Sequence, residues 1–392
     1  MSKRHVEIAY IKHGDAIEEY RALKGEAEWK MADSIKPYIQ EIIESTRGRR
    51  SLILGNDDKF HRAEIDVHTF ITMPTDKKRS YIATILVRLW YAIRTFFFFV
   101  RYRPKVIVVF GKFFHLFFPY FYAKLFGAKI VMVMTGYIGW ETNRFLKRIL
   151  VAPFIKILKT EQVGLILSRG KSPEIELASF GLDNDKIKIF FPEYPPEFFD
   201  ILDIDEEFDR DFELFFLGRF HTDKGFMDLP EMLKKLDNKK VRLNAIGWGF
   251  EEELFKEKIR EYCLENQVRI IGPKESKYVY SYLRHADILL IPTKQDTLCK
   301  VSIEGVLSLA PVVAYDIGGI KYNVIDGKTG YIIEPEDMDS FVLAIKKIIE
   351  NPEIHEKMRQ NAKEDRERFL KTETTFSQLV GDFIEENIDS AR

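Results

Sequence analysis

Two acids, Asp296 and Glu304, stand eight residues apart where the apolar run DILLI (Asp287–Ile291) gives way to a polar turn and then to an apolar-periodic helix from about Val301 to Leu309. A carboxylate accepts hydrogen bonds from hydroxyls. Between the two acids, Thr297-Leu298-Cys299-Lys300 leads into the helix N-terminus, whose unpaired N–H groups and positive dipole end suit a phosphate. Upstream, Gly218-Arg219 and Lys224-Gly225 flank a turn directly after the strand-like run FELFFL. Gly218 lets the backbone approach a ligand, Arg219 offers a diphosphate a planar fork, and Lys224 offers it a point charge. Hydroxyl acceptors, two cations and a phosphate cradle together suggest a nucleotide sugar. Each feature alone also has a bland reading, as solvated turn cations, a loop acid and a helix-surface acid. Glu304 resists that reading, because Ile303, Gly305, Val306 and Leu307 give it an apolar setting in which a solvated Glu is unusual.

The elements that must position these residues come from an alternation of short apolar runs with helical periodicity, which predicts parallel, doubly wound sheets. In the first half, strands are expected at Val6–Ile11, Ser51–Leu54, Ile65–Ile71, Lys105–Phe110, Lys129–Val133, Val163–Ser168 and Lys186–Phe191. Helices are expected over Glu26–Glu44, Ser80–Tyr102, across Pro119, over Thr142–Leu158 and near Pro173–Phe180. The first strand ends in His13-Gly14-Asp15 and the fifth in Met134-Thr135-Gly136, turns where a ligand can meet the backbone. The Pro- and acid-rich stretch 192–211 has no periodicity and reads as a connection. The alternation then restarts, with Gly247-Trp248-Gly249 and Gly272-Pro273 closing successive strands. The final amphipathic helix, Thr374–Asn387, has no strand after it and can pack back on the first half. The resulting division is 1–197 with 374–392, and 211–372, as expected for 392 residues, too many for one core.

Charge is segregated along the chain. From Lys77 to Trp140, 64 residues contain no Asp or Glu but eleven Lys or Arg and 19 aromatics, although the whole chain stands at −1. A basic, aromatic surface suits an anionic membrane face; the bland reading is that most of these rings are core. Tyr81–Val100 carries Arg88 and Arg94 in mid-span, and Gly111 and Pro119 divide Val106–Phe126, so neither reads as membrane-spanning. With Cys263 and Cys299 alone, a disulfide framework is excluded and a reducing compartment expected. No His pair or Cys/His cluster has metal spacing, so no metal is expected. Neither a Walker loop nor GxGxxG occurs, and no Ser sits in a nucleophile elbow. The basic block is apolar and helical rather than a stacking platform, which disfavours nucleic acid.

The order GRFHTDKG, GWG, IGP and PTKQDTLCKVSIEGVLSLAPVVAYDIGGIKYNVIDGKTGYII resembles the donor half of retaining GT-B glycosyltransferases of family-4 type, the glycosyl transferases group 1. The resemblance covers the whole second half; the first resembles the family only in architecture. It implies two Rossmann-like domains facing across a cleft, with the C-terminal helix crossing back to the first. Asp296 and Glu304 match the family's two acids, so Glu304 would hold the ribose hydroxyls and Asp296 those of the transferred sugar. Arg219 and Lys224 match its diphosphate pair, and Thr297–Lys300 its glycine-rich phosphate cradle. Arg219, Lys224 and Asp296 are then the candidate catalytic residues. Gly218, Gly247, Gly272, Thr297, Leu298, Cys299, Lys300 and Glu304 are the donor-binding candidates, and His13, Gly14, Thr135 and Gly136 the acceptor-side ones. No catalytic His carries over, since Met134-Thr135-Gly136 occupies its place.

The expected activity is transfer of a sugar from a nucleoside diphosphate donor to a hydroxyl acceptor, with retention, by front-face attack, and with no cofactor or metal. Partners would be the donor, a glycan or lipid-linked acceptor, and an anionic membrane surface, with the protein cytoplasmic or peripheral on the inner membrane face. Two alternatives stay open: an epimerase-like enzyme of the same fold, and a non-catalytic sugar-nucleotide-binding scaffold suggested by the altered cradle.

Overall fold

The computed structural model describes residues 5–12, 15–24, 38–57, 59–74, 81–111, 113–136, 144–194, 196–370 and 375–389. The chain divides into two units. One holds the described residues up to Pro192 together with the C-terminal helix, and the other holds those from Glu193 to Leu370.

The first unit is built on strands β1 (Ile8–Ile11), β2 (Ser51–Asp57), β3 (His61–Ile65), β4 (His68–Pro74), β5 (Val106–Phe110), β6 (Lys129–Met134), β7 (Val163–Arg169) and β8 (Ile187–Phe190). They form one sheet in the order β3-β4-β2-β1-β5-β6-β7-β8. Every pairing is parallel except β3 with β4. The helices are α1 (Ala16–Leu23), α2 (Tyr38–Ser45), α3 (Tyr81–Tyr102), α4 (Phe113–Phe126), α5 (Arg144–Leu158) and α6 (Lys171–Ser179). Both faces of the sheet are covered, which is why its strands read as continuous apolar runs. Ala9 and Ile11 of β1 join one apolar cluster with Phe99 of α3 and Leu116 of α4, while Ile8 and Tyr10 join another with Ile17 of α1 and Ile42 of α2.

The strand expected over Ile65–Ile71 is instead the bend of an antiparallel hairpin. β3 pairs with β4 across a turn at Asp66-Val67, where Asp66 takes φ 54°. Asp is among the few residues that tolerate this left-handed conformation, and Tyr20 donates to its carboxylate at 2.6 Å. Helix α1 was not anticipated; Asp15 caps it by accepting from Ile17 N and Glu18 N. Most of the helix expected over Glu26–Glu44 lies outside the described residues, leaving its end as α2.

The second unit contains β9 (Phe212–Leu217), α7 (Leu229–Leu236), β10 (Val241–Ile246), α8 (Glu252–Glu261), β11 (Val268–Gly272), α9 (Val279–Leu283), β12 (Ile288–Ile291), α10 (Lys300–Leu307), β13 (Val312–Tyr315), α11 (Ile320–Asn323), β14 (Gly330–Ile333), α12 (Met338–Ile349), α13 (Pro352–Asp365) and α14 (Glu367–Leu370). Its strands lie in the order β11-β10-β9-β12-β13-β14, all parallel. The order reverses between β9 and β12, the switch point whose carboxyl-end crevice binds ligands in open α/β sheets. Helix α10 lies directly on β12 and β13: a Cβ on its Gly305 would stand 2.7 Å from Leu289 and 2.9 Å from Val312.

Of the stretch 192–211, read above as a connection, the described residues from Glu193 on belong to the second unit. Phe198 is buried with its ring 5.8 Å from that of Tyr280, Leu202 N donates to Ser281 Oγ at 2.9 Å, and the Phe208 ring lies 5.4 Å from Phe215. Aromatic anchors spaced along irregular backbone do this without periodicity. The last helix, α15 (Phe376–Ile388), returns to the first unit, its ring at Phe376 lying 5.3 Å from Phe110 and 5.8 Å from Phe190.

Candidate functional site

The residues singled out in the second half gather at the carboxyl ends of β9, β10, β11 and β12. Gly218, Gly247 and Gly272 lie side by side there, because Gly218 N donates to Ile246 O at 3.0 Å and Gly247 N to Gly272 O at 3.0 Å. Only glycine fits at Gly247, where φ is 149° and a Cβ would stand 1.8 Å from Gly218 O.

The turn after β9 is tied to the loop after β12. Lys294 N and Thr293 Oγ1 donate to Asp223 O at 2.8 and 3.1 Å, and a Cβ on Gly225 would meet Pro292 O at 1.8 Å. This close approach sets Lys224 Nζ 2.8 Å from Asp296 Oδ2 and 3.1 Å from Gln295 O. Arg219 is not drawn into this pair. It is exposed, with Nη2 3.3 Å from Asp223 Oδ2, while His221 Nδ1 lies 2.6 Å from the other oxygen of that carboxylate.

Asp296 is turned onto its own loop. Its Oδ1 accepts from Thr297 N at 2.7 Å and Cys299 N at 2.8 Å, the local capping for which a short acidic side chain is suited. Two amides of the expected phosphate cradle are thereby occupied. Cys299 then takes φ 53° as the residue before α10, a glycine-type conformation at a position where the resembling family carries glycine. Its thiol is buried, and burial, with the Asp296 charge beside it, pushes its proton affinity far up, so it is no nucleophile. The loop is backed by Gly318 and Gly319, whose added Cβ atoms would meet Asp296 O at 2.2 Å and Thr297 O at 2.6 Å. Asn323, which sequence reasoning missed, donates to Leu298 O at 2.6 Å and Ser302 Oγ at 3.0 Å.

One turn into α10, Glu304 is 3% exposed. Its Oε1 lies 3.1 Å from Lys300 Nζ, and Lys300 in turn sits over the Tyr194 ring, 5.9 Å from its centroid. Tyr194 too went unflagged, since nothing local marks it.

On the first unit, Thr135 and Gly136 directly follow β6, at its carboxyl end. His13 and Gly14 lie outside the described residues. Beside them Lys12, not anticipated, is buried and ion-paired with Glu19 at 2.5 Å; burial lowers its affinity for a proton and Glu19 raises it. Asp15 Oδ1 also accepts from Thr72 Oγ1 at 3.1 Å.

Two doubly wound Rossmann-like units, the second carrying a strand-end cluster of lysines and carboxylates, define the GT-B class of fold. Residues 199–365, within the second unit, match the family described as Glycosyl transferases group 1. A stretch of 166 residues, 42% of this chain, is 30% identical to an uncharacterized glycosyltransferase of Methanocaldococcus jannaschii and covers 45% of that protein. The matched stretch thus spans less than half the length of this relative. In fold, the likeness runs through the chain. Sucrose-phosphate synthase from Thermosynechococcus elongatus superposes with a TM-score of 0.75 at 15% identity, over 99% of this chain and 100% of its own. Anabaena HepE in complex with UDP gives 0.68 at 13%, over 98% and 100%.

Proposed function

We propose that the protein is a glycosyltransferase that moves a sugar from a nucleoside diphosphate donor to a hydroxyl acceptor. The observation that carries this reading is the Lys224–Asp296 pair joining the loops after β9 and β12 at the switch point, with Lys300 and Glu304 on the helix that follows. UDP bound to a relative of the same fold agrees with it.

In this reading the donor diphosphate lies over the turn 218–225 and the start of α10. As the glycosidic bond breaks, negative charge collects on the leaving diphosphate. Lys224, Arg219 swinging in from Asp223, and the amides of Leu298 and Lys300 stabilise it without a metal, as preorganised electrostatics. Glu304 receives the ribose hydroxyls. Asp296 Oδ2, whose other duty is to hold Lys224, receives a hydroxyl of the transferred sugar. The acceptor hydroxyl attacks from the face the diphosphate leaves, a phosphate oxygen takes its proton, and configuration is retained. Thr135 and Gly136, with His13 and Gly14, serve the acceptor. The test is thermal shift with UDP-, GDP- and ADP-sugars, followed by transfer assays with the donor that binds. Stabilisation by one donor series, lost in Glu304→Ala, is the expected result; no stabilisation by any nucleotide sugar ends the proposal.

The acceptor is proposed to be lipid-linked, with the protein peripheral on the inner membrane face. No helix among the described residues is long and apolar enough to cross a membrane. Instead α3 and α4 expose large apolar side chains: Trp90, Ile93 and Phe97 at helical spacing, and Phe121, Leu125 and Phe126 beside them. The two sets are linked through ring contacts of Phe96 with Phe97 and Tyr122, and of Tyr122 with Phe126. Arg94 lies 4.4 Å over the Trp90 ring, and the surrounding sequence carries no acid. Apolar rings ringed by cations suit the interface of an anionic bilayer. Co-sedimentation with anionic vesicles, weakened by Leu125→Asp and absent with neutral vesicles, is expected; no binding to either vesicle type removes the membrane from the proposal.

A further inference from the structure

In the proposed leaving-group step Lys300 serves only through its backbone amide, yet its side chain is placed on the most buried acid of the site. The ammonium lies 3.1 Å from Glu304 Oε1, and the two side chains are 19% and 5% exposed. Among the described residues, no other side chain pairs with the Glu304 carboxylate. A carboxylate so deep carries a charge only if a counter-charge comes with it. Lys300 and Glu304 are one helical turn apart on one face of α10, and the lysine ammonium also lies 5.9 Å from the centroid of the Tyr194 ring. One ammonium hydrogen occupies one of about four acceptor positions on a carboxylate, so Oε2 remains whole for a pair of hydroxyls.

We infer that Lys300 is a positioning residue for donor recognition: it holds the Glu304 carboxylate aligned, so that it selects a ribose over a 2′-deoxyribose in the nucleotide. The inference rests on the placement of Glu304 at the ribose in the proposed function. It differs from a structural role in what it demands of ligand chemistry. The lysine should matter to hydroxyls it need not touch.

The experiment is calorimetric titration with UDP, GDP or ADP, whichever binds, and with the 2′-deoxy form of the same nucleotide. The proteins are the wild type, Lys300→Met, Lys300→Gln, Lys300→Arg and Glu304→Gln. Taking the ratio of the two affinities cancels the contribution of the phosphates, which both nucleotides share. In the wild type the preference for ribose should be at least about tenfold, the scale of one charge-assisted hydrogen bond. In Lys300→Met and Lys300→Gln the carboxylate loses the group that holds it, and the preference should shrink. Lys300→Arg should restore it. Should either neutral variant fail to fold, the other decides. A ribose preference that is unchanged in the neutral variants, but lost in Glu304→Gln, overturns the role of Lys300 alone. A preference unaffected by Glu304→Gln as well overturns the ribose assignment beneath it.

Discussion

The carboxyl ends of β1 and β9 occupy equivalent places in two sheets wound the same way, yet their lysines are used differently. After β1, buried Lys12 is neutralised by Glu19 of the helix that follows, and Asp15 caps that same helix. The charges satisfy one another within a single strand-turn-helix unit. After β9, Lys224 finds its carboxylate 72 residues on, in the loop after β12, and backbone bonds from Lys294 to Asp223 fasten the same two loops. A lysine paired locally secures its own turn. A lysine paired across the switch point fixes the distance between two loops, which an anion-binding site requires. The helices of the two units differ likewise: α3 and α4 of the first are aromatic and acid-free, while α8 and α13 of the second carry acids and bases along their length.

The sharpest way to break this comparison is Lys224→Ala. It removes the cross-loop pair and a cation at the proposed diphosphate, and kcat/KM for transfer should fall by about 10²–10³, the scale seen on removing one transition-state donor. The loss should be the same with a soluble or a membrane-embedded acceptor. Leu125→Asp should leave the soluble reaction unchanged and slow only the membrane-embedded one. If the two variants behave alike, the units do not divide the work as proposed.

Loop fastening can be separated from backbone strain by comparing two glycines. Gly225 and Gly272 both have left-handed φ, 66° and 80°, but an added Cβ meets Pro292 O at 1.8 Å in the first case and nothing within 4 Å in the second. Gly272→Ala should cost only the conformational penalty, about 1–2 kcal/mol, or a few degrees in Tm for a domain of this size. Gly225→Ala must also push the two loops apart and should cost clearly more, with donor stabilisation lost as well. Equal shifts in Tm and donor binding would mean that the loops are not held by that contact.

These glycines also show why the second unit was readable before its structure was known. Gly225, Gly247, Gly318 and Gly319 are demanded by close backbone approach, and such demands leave a local mark in the chain. The Asp296 carboxylate turning onto Thr297 N and Cys299 N left no such mark. Side-chain type told that an acid was there, not that its shorter reach would send it inward. Nor did Lys300 announce its pairing with Glu304, although their spacing of four permits it. In the first unit the misplaced strand at Ile65–Ile71 follows from a turn made by Asp66-Val67, without the Gly or Asn-Gly that signals a hairpin. The partner of Asp66 in that turn, Tyr20, lies 46 residues away. The stretch 192–211 was read only as a connection because aromatic anchoring has no period. Periodicity reports elements; it is silent on what irregular backbone rests against.

The smallest effect is expected where the first unit uses exposed charge. Helix α15 is held to α2 by Arg47, whose Nη2 lies 2.5 Å from Asp382 Oδ1 and whose Nη1 pairs with Glu385; these side chains are 29%, 48% and 44% exposed. The Arg47 guanidinium also lies over the helix at Gly381, where a Cβ would meet Nε at 2.6 Å. Beneath this clasp, Phe376, Val380, Ile384 and Ile388 are fully buried against the sheet. Exposed ion pairs contribute about 0.2–1 kcal/mol and are screened by salt, whereas truncating a buried Ile costs about 2–5 kcal/mol. Arg47→Ala should therefore lower the melting temperature by a few degrees at most, and by less in 0.5 M salt. Ile384→Ala should lower it several times further, at any salt. Were Arg47→Ala the more damaging of the two, the first unit would be fastened by charge as the second is, and the contrast between them would be lost.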